Sequence, residues 1–250
     1  MKVAIAVVVV VLVITLSVVL TKDNNKSSSA ALAPSSPSSA PTTENLFFNR
    51  VATFPVCRQI DDNCNVDDET ASEIIYASKD GNTLVYTDSA RGVVGFIDIT
   101  DPTDPKPAGV VDVGGEPTST GVLGPYAIVC VNTSPNYTEP SGIFHVIDIA
   151  SQTVLRTGDL GGQPDAVAIS PDESFAVIVI ENERDEDFNE GLLPQFPPGF
   201  VVIMDVSSEN VDDWSISTVN MTGLEGALYP EDPEPEYVAI NENNIGKNKR

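Results

Sequence analysis

The chain carries a single histidine, three cysteines and only 13 lysines and arginines in 250 residues. Each shortage excludes a class of chemistry. One histidine cannot build a His-rich zinc site, and no G-x-S-x-G is present to set a serine nucleophile on a strand-to-helix elbow. No Gly-rich phosphate loop opens a helix; "DVGGEP" and "DLGGQP" read as turns between repeats. Against the few bases stand 37 Asp and Glu, for a formal charge of −24, and between Pro107 and Gly246 the only Lys or Arg side chains are Arg156 and Arg184. Nucleic-acid binding needs cationic side chains against phosphate, so it is excluded as a function. Anionic membranes and free phosphate esters are repelled unless a metal bridges them, and metal cations are the natural partners of such a surface. Helical periodicity is the last absence: from Leu46 onward no stretch sustains an apolar helical period over three turns.

Residues 3–20, "VAIAVVVVVLVITLSVVL", run for eighteen positions without a charge. That is near the length of a membrane-spanning helix and long for the apolar part of a signal peptide. Two readings of residues 1–21 stay open, an uncleaved anchor or a signal cleaved near "ALA" at Ala31–Ala33. Both send the rest of the chain out of the cytosol, either membrane-anchored with an extracellular or lumenal domain or secreted. Residues 22–44 form a linker whose Ser/Ala/Pro-rich stretch, "SSSAALAPSSPSSAPTT", has too little apolar surface to order itself. Asn25, Asn132, Asn136 and Asn220 each begin an N-x-Ser/Thr sequon, a glycosylation signal of exposed loops. Cys57 and Cys64 are expected to close a short disulfide loop in an oxidising compartment, with two free thiols as the alternative. Cys130, inside "YAIVCV", reads as a small core residue.

The signals in residues 45–250 are all β: short Val/Ile-rich runs between Gly, Pro, Asp and Asn clusters. They also repeat. "SEIIYASKDGNTLVYTDS" at 72–89 aligns with "PDAVAISPDESFAVIVIE" at 164–181, and "VVGFIDI", "GIFHVIDI" and "GFVVIMDV" are three copies of one later strand. Each copy predicts four strands: 74–77, 83–87, 93–99 and 108–113; then 118–123, 126–131, 142–149 and 153–158; then 166–170, 174–181, 199–206 and 214–219. Four strands per repeat is the pattern of a β-propeller. The expected fold is therefore all-β, a partial propeller of three four-stranded blades plus the start of a fourth at "PEYVAINENN", 235–244, preceded by a hydrophobic helix and a disordered linker. "NLFFNRVATF", 45–54, would suit an outer strand closing a last blade. Because closed propellers have four to eight blades, the count predicts a piece of a longer protein; the alternative is an open arc that pairs with another chain.

The repeat aligns Glu73, Thr118, Asp165 and Glu236 at the start of successive first strands, the strands nearest a propeller's axis. Three of the four are carboxylates and should share one channel mouth. The insertion "ENERDEDFNEG" after the second strand of the third blade should rise beside Asp165 and bring Glu181, Glu183, Asp185, Asp187, Asn189 and Glu190 to the same mouth. Crowded like charges are costly unless hydrated or neutralised. Calcium is the expected neutraliser, since it accepts many hard oxygens in loose geometry; a merely hydrated loop is the other reading. The spacing is not that of an EF-hand. His145, in "GIFHVIDI", reads as a strand residue rather than a catalytic base, and Asp98, Asp148 and Asp205, ending the third strands, read as turn formers.

The order of "CRQIDDNC", "GFIDITDPTDPKPAG", "GGEPTS", "SGIFHVIDI", "GGQPDAVAISPD", "ENERDEDFNEGLLPQ", "GFVVIMDV" and "PEPEYVAI" resembles secreted bacterial and algal propellers with esterase-like activity of phytase, related to the choice-of-anchor I and mesenchyme surface-glycoprotein propellers. The resemblance covers about residues 55–241. It implies an extracellular propeller, sometimes linked with phosphatase or phytase activity, and calcium-dependent phosphoester hydrolysis is known in other propeller phytases. The chain departs from that pattern in lacking a second half of the propeller and a Lys/Arg cluster for a phosphorylated substrate, and no catalytic residue maps onto it. Two functions follow as expectations: a calcium-binding surface module that contacts extracellular matrix, and a calcium-dependent phosphoesterase or esterase-like hydrolase acting on a phosphoester.

Overall fold

The computed structural model describes residues 50–65 and 67–241. The predicted N-terminal helix and linker, and Asn25, lie outside those residues. Twelve strands form three four-stranded antiparallel sheets, each a meander in chain order. The first blade holds β1 (Ser72–Ala77), β2 (Thr83–Asp88), β3 (Val93–Asp98) and β4 (Lys106–Asp112). The second holds β5 (Glu116–Leu123), β6 (Tyr126–Asn132), β7 (Gly142–Asp148) and β8 (Thr153–Asp159). The third holds β9 (Pro164–Ile169), β10 (Phe175–Ile180), β11 (Phe200–Asp205) and β12 (Ser215–Asn220). Every predicted strand of the three blades is present, its ends shifted by two residues at most. The fold is a partial propeller-like arrangement, with β5 packed against both β1 and β9. Two expectations fail. Residues 235–241 form no strand, because a first strand needs a second to pair with and none follows among the described residues. Residues 50–54 form no strand either; the chain passes instead into a short 3-10 turn, Val56–Gln59. Among the described residues no helix is long and apolar enough to cross a membrane.

Strand alternation explains the core. On β6, Ala127, Val129 and Val131 point into the packing with the first blade, against Val85, Val94 and Phe96. Ile128 and Cys130, one residue out of phase, point into the packing with the third blade, against Ile178, Ile180, Val202 and Met204. Both faces of the middle blade are therefore apolar, which a sheet covered on both sides requires. Cys130 is the buried core residue expected. His145 is buried as a strut: its Nε2 lies 3.0 Å from the Val113 carbonyl of the first blade, and its Nδ1 lies 2.7 Å from the Thr157 hydroxyl. Both ring nitrogens are engaged, as suits a structural histidine.

The first blade breaks the apolar pattern. The positions matching Ala127, Val129 and Val131 of the second blade, and Ala176, Ile178 and Ile180 of the third, are Leu84, Tyr86 and Asp88. Tyr86 and Asp88 are nonetheless buried. The Cys57–Cys64 disulfide is formed, and its loop lies against this sheet: Gln59 Nε2 donates to the Phe96 carbonyl and Gln59 Oε1 accepts from the Gly109 N–H. Asp88 Oδ1 accepts the Ala71 N–H at 2.8 Å. Across from Tyr86 sits its cross-strand partner Gly95, where a Cβ would overlap the buried phenol ring. Gly95→Ala is therefore expected to destabilise the fold by about 1–3 kcal/mol through overpacking, read as a lower urea midpoint with an unchanged slope.

Candidate functional site

The three first strands begin at one end of the sheets. Glu73 of β1, Thr118 of β5 and Asp165 of β9 line a single pocket of about 260 Å³, together with Glu116, Glu181 and Glu183. The pocket is held open by local hydrogen bonds around Gln163. Its carbonyl accepts the Glu181 N–H at 2.9 Å, its own N–H donates to Asn182 Oδ1 at 2.9 Å, and its side chain exchanges two bonds with Glu183, at 3.1 and 3.2 Å. Asn182 adopts a left-handed φ of 53°, a conformation that Asn tolerates better than most residues, and its Nδ2 donates to the Pro198 carbonyl. The start of the acidic insertion is thus pinned beside Asp165.

Electrostatics follows from that crowding. Burial pushes the Asp165 carboxyl up to about 6, reinforced by the charges of Glu236 and Glu183. Glu181 rises to about 7, first from burial and then from Asp165, Glu234, Glu183 and Glu236. Glu236 is exposed and acts on both groups by its charge. The structure therefore brings together Glu73, Asp165, Glu181 and Glu183 as pocket lining, with Glu236 in electrostatic reach.

Asp185, Asp187 and Glu190 are not brought into the pocket. Asp185 Oδ1 accepts the N–H groups of Asp187 and Phe188, capping a short turn at Phe188–Gly191, and Asp187 and Glu190 face solvent. The cause lies one residue earlier. Arg184 pairs with Asp232 and Glu234 and donates to the Asp232 carbonyl at 2.6 Å, which draws the chain away from the rim. Asp232 is almost fully buried in this pairing. Sequence reasoning passed over Gln163, Glu116, Asn182, Arg184, Asp232 and Glu234. The signal for two of them was the repeated G-G-[E/Q]-P, read as turns alone: it places Glu116 and Gln163 at equivalent rim positions.

Of the sequons, Asn136 and Asn220 are exposed, each with its side-chain oxygen accepting from the following Thr. Asn132 is half-buried in the pocket wall, 3.4 Å from Glu116. Asp98, Asp148 and Asp205 accept bonds from Thr100, Ser151 and Ser207, as turn formers do, and those bonds lower their carboxyls. Donor chemistry around the pocket is hard oxygen throughout, which fits a calcium-type ion. Among the described residues, however, no three acidic, His or Cys side chains are gathered closely enough to enclose one.

The choice-of-anchor I domain model matches residues 73–245 of the chain; with well over half of the sequence inside that match, the chain belongs to the choice-of-anchor I family. No curated protein matches it. Among solved structures it is similar to the hydrazine synthase of Kuenenia stuttgartiensis, at 16% identity and a TM-score of 0.47, over 65% of this chain and 51% of that one. The chain thus spans about half the length of that solved chain.

The raised carboxyls set the sign of the pH response. A folded-state pKa above the unfolded value means that the folded form holds more protons, so stability is full below about pH 4 for these groups and is lost as pH rises through about 6 to 7. Melting is expected to occur at higher temperature at pH 5 than at pH 8. Glu181→Gln should raise the pH 8 value and flatten the slope, by an amount on the order of 1 kcal/mol once solvent screening is allowed for; a slope unchanged in Glu181→Gln and Asp165→Asn contradicts it.

Proposed function

We propose that this member of the choice-of-anchor I family is an extracellular surface module that binds divalent cations, calcium foremost, at the acidic rim and uses them in contacts with a surface or matrix. The supporting observation is the single pocket in which two blades present Glu73, Asp165, Glu181 and Glu183 with no basic side chain among the lining residues. Choice-of-anchor domains belong to secreted or surface-attached proteins, and the Cys57–Cys64 disulfide fits an oxidising compartment. A calcium ion here would take Asp165 and Glu181 as charged ligands. Neutral oxygens of Thr118 and Asn132, and water, would complete the 6–8 ligands that calcium prefers. With carboxylates spread rather than gathered, affinity belongs in the range of extracellular modules, roughly 0.1–1 mM. The ion's charge would offset the burial and, after it, the repulsion that raise these two carboxyls.

The hydrolase alternative finds less support. A phosphoester would meet no cationic lining group, and the nearby Arg184 is already engaged by Asp232 and Glu234.

At pH 7.5, 10 mM calcium is expected to stabilise the protein by about 1.4 kcal/mol if the dissociation constant is about 1 mM, a rise of roughly 3–5 °C in melting temperature. The rise should vanish in the Asp165→Asn, Glu181→Gln double variant and persist in Asp187→Asn. A melting temperature indifferent to calcium and chelator refutes the reading.

A further inference from the structure

A second cavity lies beside the acidic rim. It measures about 190 Å³ and is formed where the 133–141 loop of the second blade meets the insertion after β10. Tyr137, Phe188 and Phe196 line it and are 46%, 57% and 60% exposed. What distinguishes these three from the other exposed apolar residues is that they line one hollow together. Two prolines, Pro194 and Pro197, complete the wall.

The polar groups of the wall determine what it can recognise. Gln195 donates its side-chain N–H to the Asp185 carbonyl and accepts the Asp185 N–H, so its amide is occupied. Asn182 is occupied by Gln163 and Pro198. The Arg184 guanidinium is tied to Asp232 and Glu234, its charge balanced. The Thr138 hydroxyl donates to Asn136. What remains is the Glu183 carboxylate, which uses one oxygen for Gln163, and the Tyr137 hydroxyl. The cavity thus offers aromatic side chains, the Glu183 carboxylate and the Tyr137 hydroxyl, while the amides and guanidinium of its wall are engaged elsewhere. An anion is repelled.

We propose that this cavity is a docking site for the lysine side chain of a partner protein. An ammonium over aromatic rings gains cation–π attraction, strongest where water is excluded, and Glu183 supplies the counter-charge. The alkyl stem covers ring surface, and the volume suits the end of one side chain rather than a drug-sized ligand. Arginine fits less well, since its five N–H donors would meet too few acceptors. The net charge of −24 favours approach of basic partners to the chain. The site is separate from the cation pocket and shares only Glu183 with it.

The test uses calorimetric titration of the full chain in calcium-free buffer with Ac-Gly-Gly-Lys-Gly-Gly-amide. Saturable 1:1 binding is expected, at least tenfold tighter than for the Nε-acetyl-lysine peptide and weakened at least fivefold by Phe196→Ala and by Phe188→Ala, both exposed positions whose melting temperatures should match wild type. Four results overturn the proposal: no saturation at 10 mM peptide, equal binding of the acetylated peptide, wild-type affinity in both phenylalanine variants, which would leave only general charge attraction, or tighter binding of the arginine counterpart. Binding of n-butylammonium without binding of the lysine peptide removes the protein partner. Chelator is present throughout, so a failure of calcium binding at the rim leaves this result unaffected.

Discussion

A four-stranded blade has two faces and cannot bury both by itself; the structure depends on that constraint. The middle blade resolves it by being apolar on both sides, and its neighbours supply the complementary surfaces. Because the inner strands must then converge, the starts of β1, β5 and β9 come to one end. The rim is a by-product of packing, and whatever side chains stand at those three positions are forced together. Carboxylates at two of the three, joined by Glu181 and Glu183, turn a geometric consequence into an electrostatic one.

The cost of that gathering is visible in Asp165 and Glu181, whose carboxyls sit well above the usual range, with burial as the first cause in both. A fully exposed carboxyl lacks that first cause. Asp80, Asp98, Asp101 and Asp172 show the contrast. They too are acidic and lie in turns, but each accepts hydrogen bonds from Ser, Thr or Asn neighbours and is lowered instead. The same residue type thus has two roles in this chain. Turn aspartates are stabilised as anions, whereas burial holds the Asp165 and Glu181 carboxyls where the anion is disfavoured.

The strands were legible because each obeys one period and ends in a turn residue, and because the repeat let one copy correct another. The rim position of Glu73, Thr118 and Asp165 followed from that alignment alone. The path of the insertion did not. Asp185, Asp187 and Glu190 look equivalent to Glu181 and Glu183 in a linear reading, since all are acids in one short run. What separates them is Arg184, whose partners Asp232 and Glu234 lie 48 and 50 residues away. A contact at that separation leaves no periodic trace. The aromatic cavity escaped notice for the same reason: Tyr137 and Phe196 come from different blades and meet only in the fold.

The two end blades differ in a way that bears on how the rim is held. In the first blade the face turned away from its neighbour carries Tyr86 and Asp88 and is covered by the disulfide-closed loop through Gln59. In the third blade the corresponding outward positions stay apolar: Val177 and Val201 are half-buried and Ile203 is 36% exposed. Their counterparts Val85 and Ile128, inside the stack, are fully buried. The segment 230–236 crosses this side, with the Pro233 carbonyl accepting the Gly199 N–H at 2.8 Å and Asp232 and Glu234 gripping Arg184. That crossing carries Glu234 and Glu236 toward Asp165 and Glu181. The segment therefore has two effects at once. Its ion pairs anchor the insertion, and its remaining charge raises the protonation of the rim. The position of 230–236 therefore fixes the anchor of Arg184 and adds, after burial, to the upward shift at Glu181.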